Sequence, residues 1–222
     1  MSEAIESEFG LWGIAVAWVF MFGAFVLFVP LYRKADRRPA GAFMAFVVAF
    51  ALEMYGAPLS LYLVMWVFGK SLPYGVLWGH TLSEIIGPTG HYLFLAALPV
   101  GGALVVGGWA KIHRDYWSRE DGEGRLVKDG VYCLVRHPQY TGFLLISLAV
   151  LLDWATLLLL ILWPVLAVLY WRLARREERE LESRFDAEWR EYAAVTGMFL
   201  PRLLPRLLRR ILRRRREHVR GD

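Results

Sequence analysis

The chain has 222 residues, 57% of them hydrophobic, with 26 lysines and arginines against 21 aspartates and glutamates and a mean hydropathy of +0.37. A soluble domain sits nearer about 45–50% apolar, and here the excess is gathered into long uncharged runs, which a soluble core rarely needs. The single cysteine, Cys133, excludes an internal disulfide and a thiolate metal cluster; the five histidines lie far apart, so no metal site is expected.

The opening segment Met1–Gly10 is acidic (Glu3, Glu6, Glu8), unlike the basic start of a secretory signal. Leu11–Tyr32 follows without a charged residue and matches the run of about 20 apolar residues that a bilayer core requires. It is read as a retained span. Ala42–Phe68 is the second apolar run. Gly56-Ala57-Pro58 interrupts it, and a proline there kinks or breaks a helix. Glu53 in the same run is costly at membrane depth and by default hints at function; a paired or protonated carboxylate is the favoured reading.

Tyr92–Ala110 is the third run. Its Gly101-Gly102 and Gly107-Gly108 lack the strand-to-helix context of a nucleotide-binding loop. Ala97/Gly101 and Ala103/Gly107 place small residues four apart, which suits close helix packing. Tyr140–Trp171 carries one charge, Asp153. As one straight helix it spans about 48 Å, too long for a hydrocarbon core of about 30 Å. Basic segments flank both ends, so the expectation is a helical hairpin that turns near Asp153–Trp154, with arms somewhat short for a full crossing.

The fold class expected is therefore an all-α integral membrane protein. It has about five transmembrane helices, including a C-terminal helical hairpin, plus cytoplasmic amphipathic helices. Residues 1–90 hold the first two spans, 91–205 the core and 206–222 a basic tail. Arg33, Lys34, Arg37 and Arg38, then Lys111 through Arg136, then the chain from Arg172 onward, carry most of the positive charge. Positive segments mark the cytoplasmic side, which puts the polar segments after the third span and after the hairpin on that face. In Pro201–Arg220, Leu203/Leu207/Ile211 and Leu204/Leu208/Leu212 recur among arginines. This is the pattern of a basic amphipathic helix on anionic lipid headgroups rather than of a nucleic-acid-binding segment.

The stretch Gly124–Gly142, GRLVKDGVYCLVRHPQYTG, gathers the groups that bind a small polar ligand. Gly130 permits a tight turn, and Arg136 is able to hold a carboxylate through two parallel hydrogen bonds. His137 donates or accepts near neutral pH, and Pro138 starts the next helix. Tyr140 adds a hydroxyl and a ring, and Gly142 admits a backbone or ligand at close range. After the hairpin come Arg172, Arg175, Arg176, Glu177, Glu178 and Glu180, which alone would read as a solvated helix with weak ion pairs. Leu181, Phe185, Trp189 and Tyr192 then fall on one helical face, suited to docking on the membrane or closing over a site. The hairpin lets 130–142 and 172–180 face one cavity.

The pattern Gly130-x-Tyr132-x-x-x-Arg136-His137-Pro138-x-Tyr140-x-Gly142 resembles the signature of the isoprenylcysteine carboxyl methyltransferase and phospholipid methyltransferase superfamily. Glu177-Glu178, Phe185, Tyr192 and Pro201 follow in the family's order, and the resemblance covers roughly residues 90–205. It implies S-adenosylmethionine as cofactor, held between the C-terminal helices and open to the cytosol, and an acceptor drawn from the bilayer. It places Tyr132, Arg136, His137, Pro138, Tyr140 and Gly142 on the cofactor, with Glu177 and Glu178 completing the pocket. Arg172 and Glu178 are the implied catalytic residues, with Arg175 or Arg176 as alternatives to Arg172. The implied acceptor is a lipid or other membrane-partitioned carboxylate, amine or thiol. The membrane is the inner membrane of a prokaryote or the endoplasmic reticulum. Two other readings stay open: an NADPH-dependent membrane reductase of sterol-reductase-like architecture, and a non-catalytic membrane protein.

Overall fold

The computed structural model describes residues 10–28, 38–56, 63, 66–67, 69, 88–117 and 125–202. Among these the secondary structure is helical, and the one β-type contact is an isolated parallel bridge between Val135 and Gly197. Helix α1 spans Trp12–Phe28 and α2 spans Arg38–Ala51, continuing into a π-helical turn at Leu52–Gly56. Helix α3 is Thr89–Ile112, α4 is Pro138–Asp153 and α5 is Leu157–Val195.

The hairpin expected at Asp153–Trp154 is present. Helix α4 stops at Asp153, and α5 starts at Leu157 behind Thr156, whose hydroxyl accepts from the Leu159 amide at 3.2 Å. That is an N-cap, satisfying an amide that the first turn leaves without a partner. Two helices, Thr89–Asp115 and Leu157–Val195, are long and apolar enough to cross a bilayer. Trp12–Ala24, Gly41–Gly56 and Pro138–Asp153 are apolar but shorter. The expected five spans thus correspond to two helices of full spanning length and three shorter apolar ones. The shortfall is physical for α4, whose 16 residues reach about 24 Å at 1.5 Å each. Pro58, the basic tail at 206–222 with the leucine pattern that begins at 203, and the acidic residues before Gly10 lie outside the described residues.

Helices α3 and α4 pack along their length, while α2 leans on α1 and on α5. The glycines explain how close α3 and α4 come. A methyl group on Gly101 would stand 2.6 Å from Ile146 Cγ1 and 2.9 Å from the Gly142 carbonyl oxygen. One on Gly142 would stand 2.5 Å from the Gly101 carbonyl oxygen. The two backbones touch where neither has a side chain, as small residues allow between membrane helices. The core beside this contact is aromatic. Phe43 lies 4.7 Å from Phe143, and Phe143 stacks on Tyr170 at 6.0 Å. Glu53 is buried in the π-helical turn, consistent with a satisfied carboxylate rather than one facing lipid. Large apolar side chains on the outer faces, among them Phe20, Val100, Ile161, Val165 and Trp171, remain exposed, as lipid-facing residues are.

Helix α5 changes character along its length: apolar to Trp171, then charged. At Asp186 the backbone takes φ 39° and ψ −107°, a conformation that costs a non-glycine residue on the order of 1–3 kcal/mol. The bend turns the last stretch, with Trp189 and Tyr192, onto the 125–137 segment.

Candidate active site

The third apolar helix ends in polar anchors. Lys111 lies 2.7 Å from Asp115 one turn on and 2.6 Å from Asp129 across the connecting segment. Gly130, at φ +62°, follows Asp129 and uses the left-handed region open to glycine. The chain then forms a 3-10 turn at Gly130–Cys133, passes Arg136 and His137, and enters α4 at Pro138. Proline at the first helical position loses no hydrogen bond.

The Arg136-His137 step is held from the far end of the chain. The Arg136 amide donates to the Gly197 carbonyl at 2.8 Å, and the His137 amide to that of Met198 at 3.2 Å. The Arg136 guanidinium is enclosed by the protein itself. Its Nε donates to Glu178 Oε1 at 2.7 Å, and Nη2 lies 2.6 Å from the same oxygen. Its Nη1 donates to the carbonyls of Ala193, at 3.1 Å, and Thr196. These are carbonyls of the last turn of α5, where the helix dipole favours a cation. The indole of Trp189 lies 5.8 Å below the guanidinium carbon.

His137 is buried, stacked on the Tyr140 ring at 5.5 Å with 6° between planes. Its Nδ1 stands 3.5 Å from Glu177 Oε2 and its Nε2 3.4 Å from Glu178 Oε1. Burial pulls the imidazole pKa down, but hydrogen bonding and attraction from the two carboxylates outweigh it, and the pKa ends above its ordinary value. The Tyr140 hydroxyl donates to Glu177 Oε1 at 2.6 Å. Burial holds the Tyr132 phenol well above its usual range, and the hydroxyl donates to the Gly108 carbonyl at 3.3 Å. The Tyr192 hydroxyl donates to the Tyr132 carbonyl at 2.6 Å, tying the bent end of α5 to the motif.

These elements line an open-mouthed cavity of about 1090 Å³, its mouth included. Trp109, Ile112 and His113 line it from α3 and the turn beyond, and Arg125, Leu126 and Val127 from the connecting segment. Tyr132 and Arg136 through Tyr140 form its floor, and Glu177, Glu180, Leu181, Phe185, Trp189 and Tyr192 its α5 wall. The apolar face of α5 therefore closes over the site.

Of the residues singled out in the sequence, Tyr132, Arg136, His137, Pro138, Tyr140 and Glu177 come together on this cavity. Three are placed differently from expectation. Gly142 is buried against Gly101 and Val105 and belongs to the α3–α4 contact, away from the cavity lining. Arg172 is exposed and outside the lining, as are Arg175 and Arg176, because the helical register turns all three away from the face that carries Glu177 and Glu178. Glu178 is outside the lining, bonded to Arg136 and 3.4 Å from His137 Nε2. Trp109, His113, Arg125 and Gln139 line the cavity without having been singled out. Arg125 sits within the polar stretch already marked, whereas Trp109 and His113 continue an apolar helix and carry no separate signal.

In comparison with known proteins, residues 90–188 match the family described as phospholipid methyltransferase. No curated protein matches the chain.

Proposed function

On the match of residues 90–188 to the phospholipid methyltransferase family, we propose that the chain is a membrane methyltransferase that transfers a methyl group from S-adenosylmethionine to a membrane-partitioned acceptor. The observation that carries the reading is the meeting of the arginine–histidine–proline turn with the Glu177-Glu178 pair on one cavity. The donor set suits the cofactor. Aromatic faces at Trp109, Phe185 and Trp189 suit an adenine ring and a sulfonium. Glu177 and Glu180 suit an ammonium.

The bound cofactor supplies an already activated methyl carbon for in-line displacement. The protein's own work is to position and desolvate. Tyr140 and His137 orient the Glu177 carboxylate toward the cavity. Arg136 and Glu178 hold the turn that carries them. Leu181, Phe185 and Trp189 exclude water from the α5 side. A carboxylate or thiolate acceptor needs no base; an amine acceptor must lose a proton, and in this reading Glu177 or Glu178 assists its removal. The active site faces the cytoplasm in this reading, since the flanking segments are basic.

The test is calorimetry of S-adenosylhomocysteine with purified wild type and with Arg136→Ala, His137→Ala and Glu178→Ala. All three are expected to insert in the membrane and to lose binding. Wild-type affinity in all three defeats the site. Incubating membranes with methyl-labelled cofactor and finding no labelled lipid or small acceptor defeats the activity.

A further inference from the structure

Resting on that cofactor reading, we infer that Arg125, rather than Arg136, receives the carboxylate of the cofactor's amino-acid end. The inference starts from what the cavity's cations are already doing. Arg136 has its Nε and Nη groups on Glu178, Ala193 and Thr196. Its side chain is 8% exposed. Binding a ligand carboxylate there means dismantling the clamp that holds the end of α5. Lys111 is committed to Asp115 and Asp129, and Lys128 lies 2.6 Å from Glu188. None of these lysines lines the cavity.

Arg125 does line it, and its side chain is 56% exposed. Its contact among the described residues is Asp115, with Nη2 to Oδ2 at 3.5 Å. That carboxylate already has the shorter bond from Lys111, at 2.7 Å. Among the described residues the guanidinium therefore keeps most of its five donors for a ligand, and a planar fork is the geometry that matches a carboxylate through two bonds. The same cavity presents Glu177 and Glu180 from α5. With Arg136 committed to its own clamp, a site that offers the Arg125 guanidinium opposite two carboxylates is chemically matched to an α-amino acid: carboxylate on Arg125, ammonium on the glutamates.

The experiment compares two ligands that share adenosine and the thioether and differ in the amino-acid end. S-adenosylhomocysteine has that end; 5′-methylthioadenosine lacks it. Each is titrated calorimetrically into detergent-solubilised full-length wild type, Arg125→Ala and Arg125→Lys. Arg125→Ala is expected to weaken S-adenosylhomocysteine by about 10–100-fold, the size of a lost hydrogen bond to a charged group, and to leave 5′-methylthioadenosine unchanged. Arg125→Lys keeps the charge without the fork and is expected to fall between. Unchanged binding of both ligands overturns the inference, including the case where only the acceptor's KM rises. Equal weakening of both overturns it too, since that marks a change of cavity shape. A wild type that binds neither ligand instead overturns the cofactor reading itself.

Discussion

Arg136 and Glu178, 42 residues apart in sequence, meet through two guanidinium nitrogens on one carboxylate oxygen, with 8% and 9% of their side chains exposed. Breaking a buried pair from one side strands the other charge. Arg136→Ala and Glu178→Ala are each expected to destabilise by about 3–5 kcal/mol. The double variant Arg136→Met/Glu178→Leu leaves neither charge of the pair stranded and is expected to unfold at a higher temperature than either single variant. Thermal unfolding of the detergent-solubilised proteins checks this; an additive double variant contradicts it.

The α3–α4 contact gives an internal control between adjacent glycines. Gly101→Ala drives a methyl into Ile146 and the Gly142 carbonyl, whereas Gly102→Ala meets nothing within 4 Å. Gly101→Ala is expected to cost about 1–3 kcal/mol through overpacking. Gly102→Ala is expected to be neutral or to stabilise by up to about 1 kcal/mol through helix propensity. The same unfolding measurement separates them.

Tyr140→Phe removes the hydroxyl that holds Glu177 Oε1 at 2.6 Å but keeps the ring stacked on His137. Stability is expected to fall by about 1 kcal/mol. Affinity for S-adenosylhomocysteine is expected to fall several-fold, since the carboxylate loses its fixed orientation. Equal affinity in the two proteins would mean that Glu177 needs no such support.

His137 gives the stability a pH dependence of definite sign. Its folded pKa is raised: burial opposes the charge, and Glu177 and Glu178 overcome that opposition. The charged imidazole's contribution is thus complete below its ordinary value near about 6.5 and fades as pH rises through the raised folded value. The stability gap between wild type and His137→Gln is expected to be larger at about pH 6 than at about pH 9. Unfolding temperatures of both proteins across that range are the measurement, and a constant gap contradicts the assignment.

Much of this arrangement was legible in the sequence because it rests on local signals. The hairpin followed from a 32-residue apolar run interrupted by Asp153 and basic at both ends. The motif followed from spacing, and the closing wall from the periodicity of Leu181, Phe185, Trp189 and Tyr192. What was not legible depends on partners without a sequence signature. Arg136 reads as a ligand-binding arginine until the Ala193 and Thr196 carbonyls, 57 and 60 residues on, are seen to occupy it. Backbone acceptors look the same at every position. Gly142 reads equally as a ligand contact or a packing contact, and Gly101 opposite decides which. The bend at Asp186 leaves no mark in a sequence that keeps a helical pattern on both sides.

The hydrogen bonds from the Arg136 and His137 amides to Gly197 and Met198 make cavity closure separable from membrane insertion. The apolar parts of α3, α4 and α5 are complete before residue 172, yet the strap that fixes the motif arrives some 25 residues later. A chain cut between Val195 and Gly197 would keep the apolar stretches of α1 to α5 and lose the backbone strap on the motif, so that anchoring in lipid and shaping of the chamber would come apart.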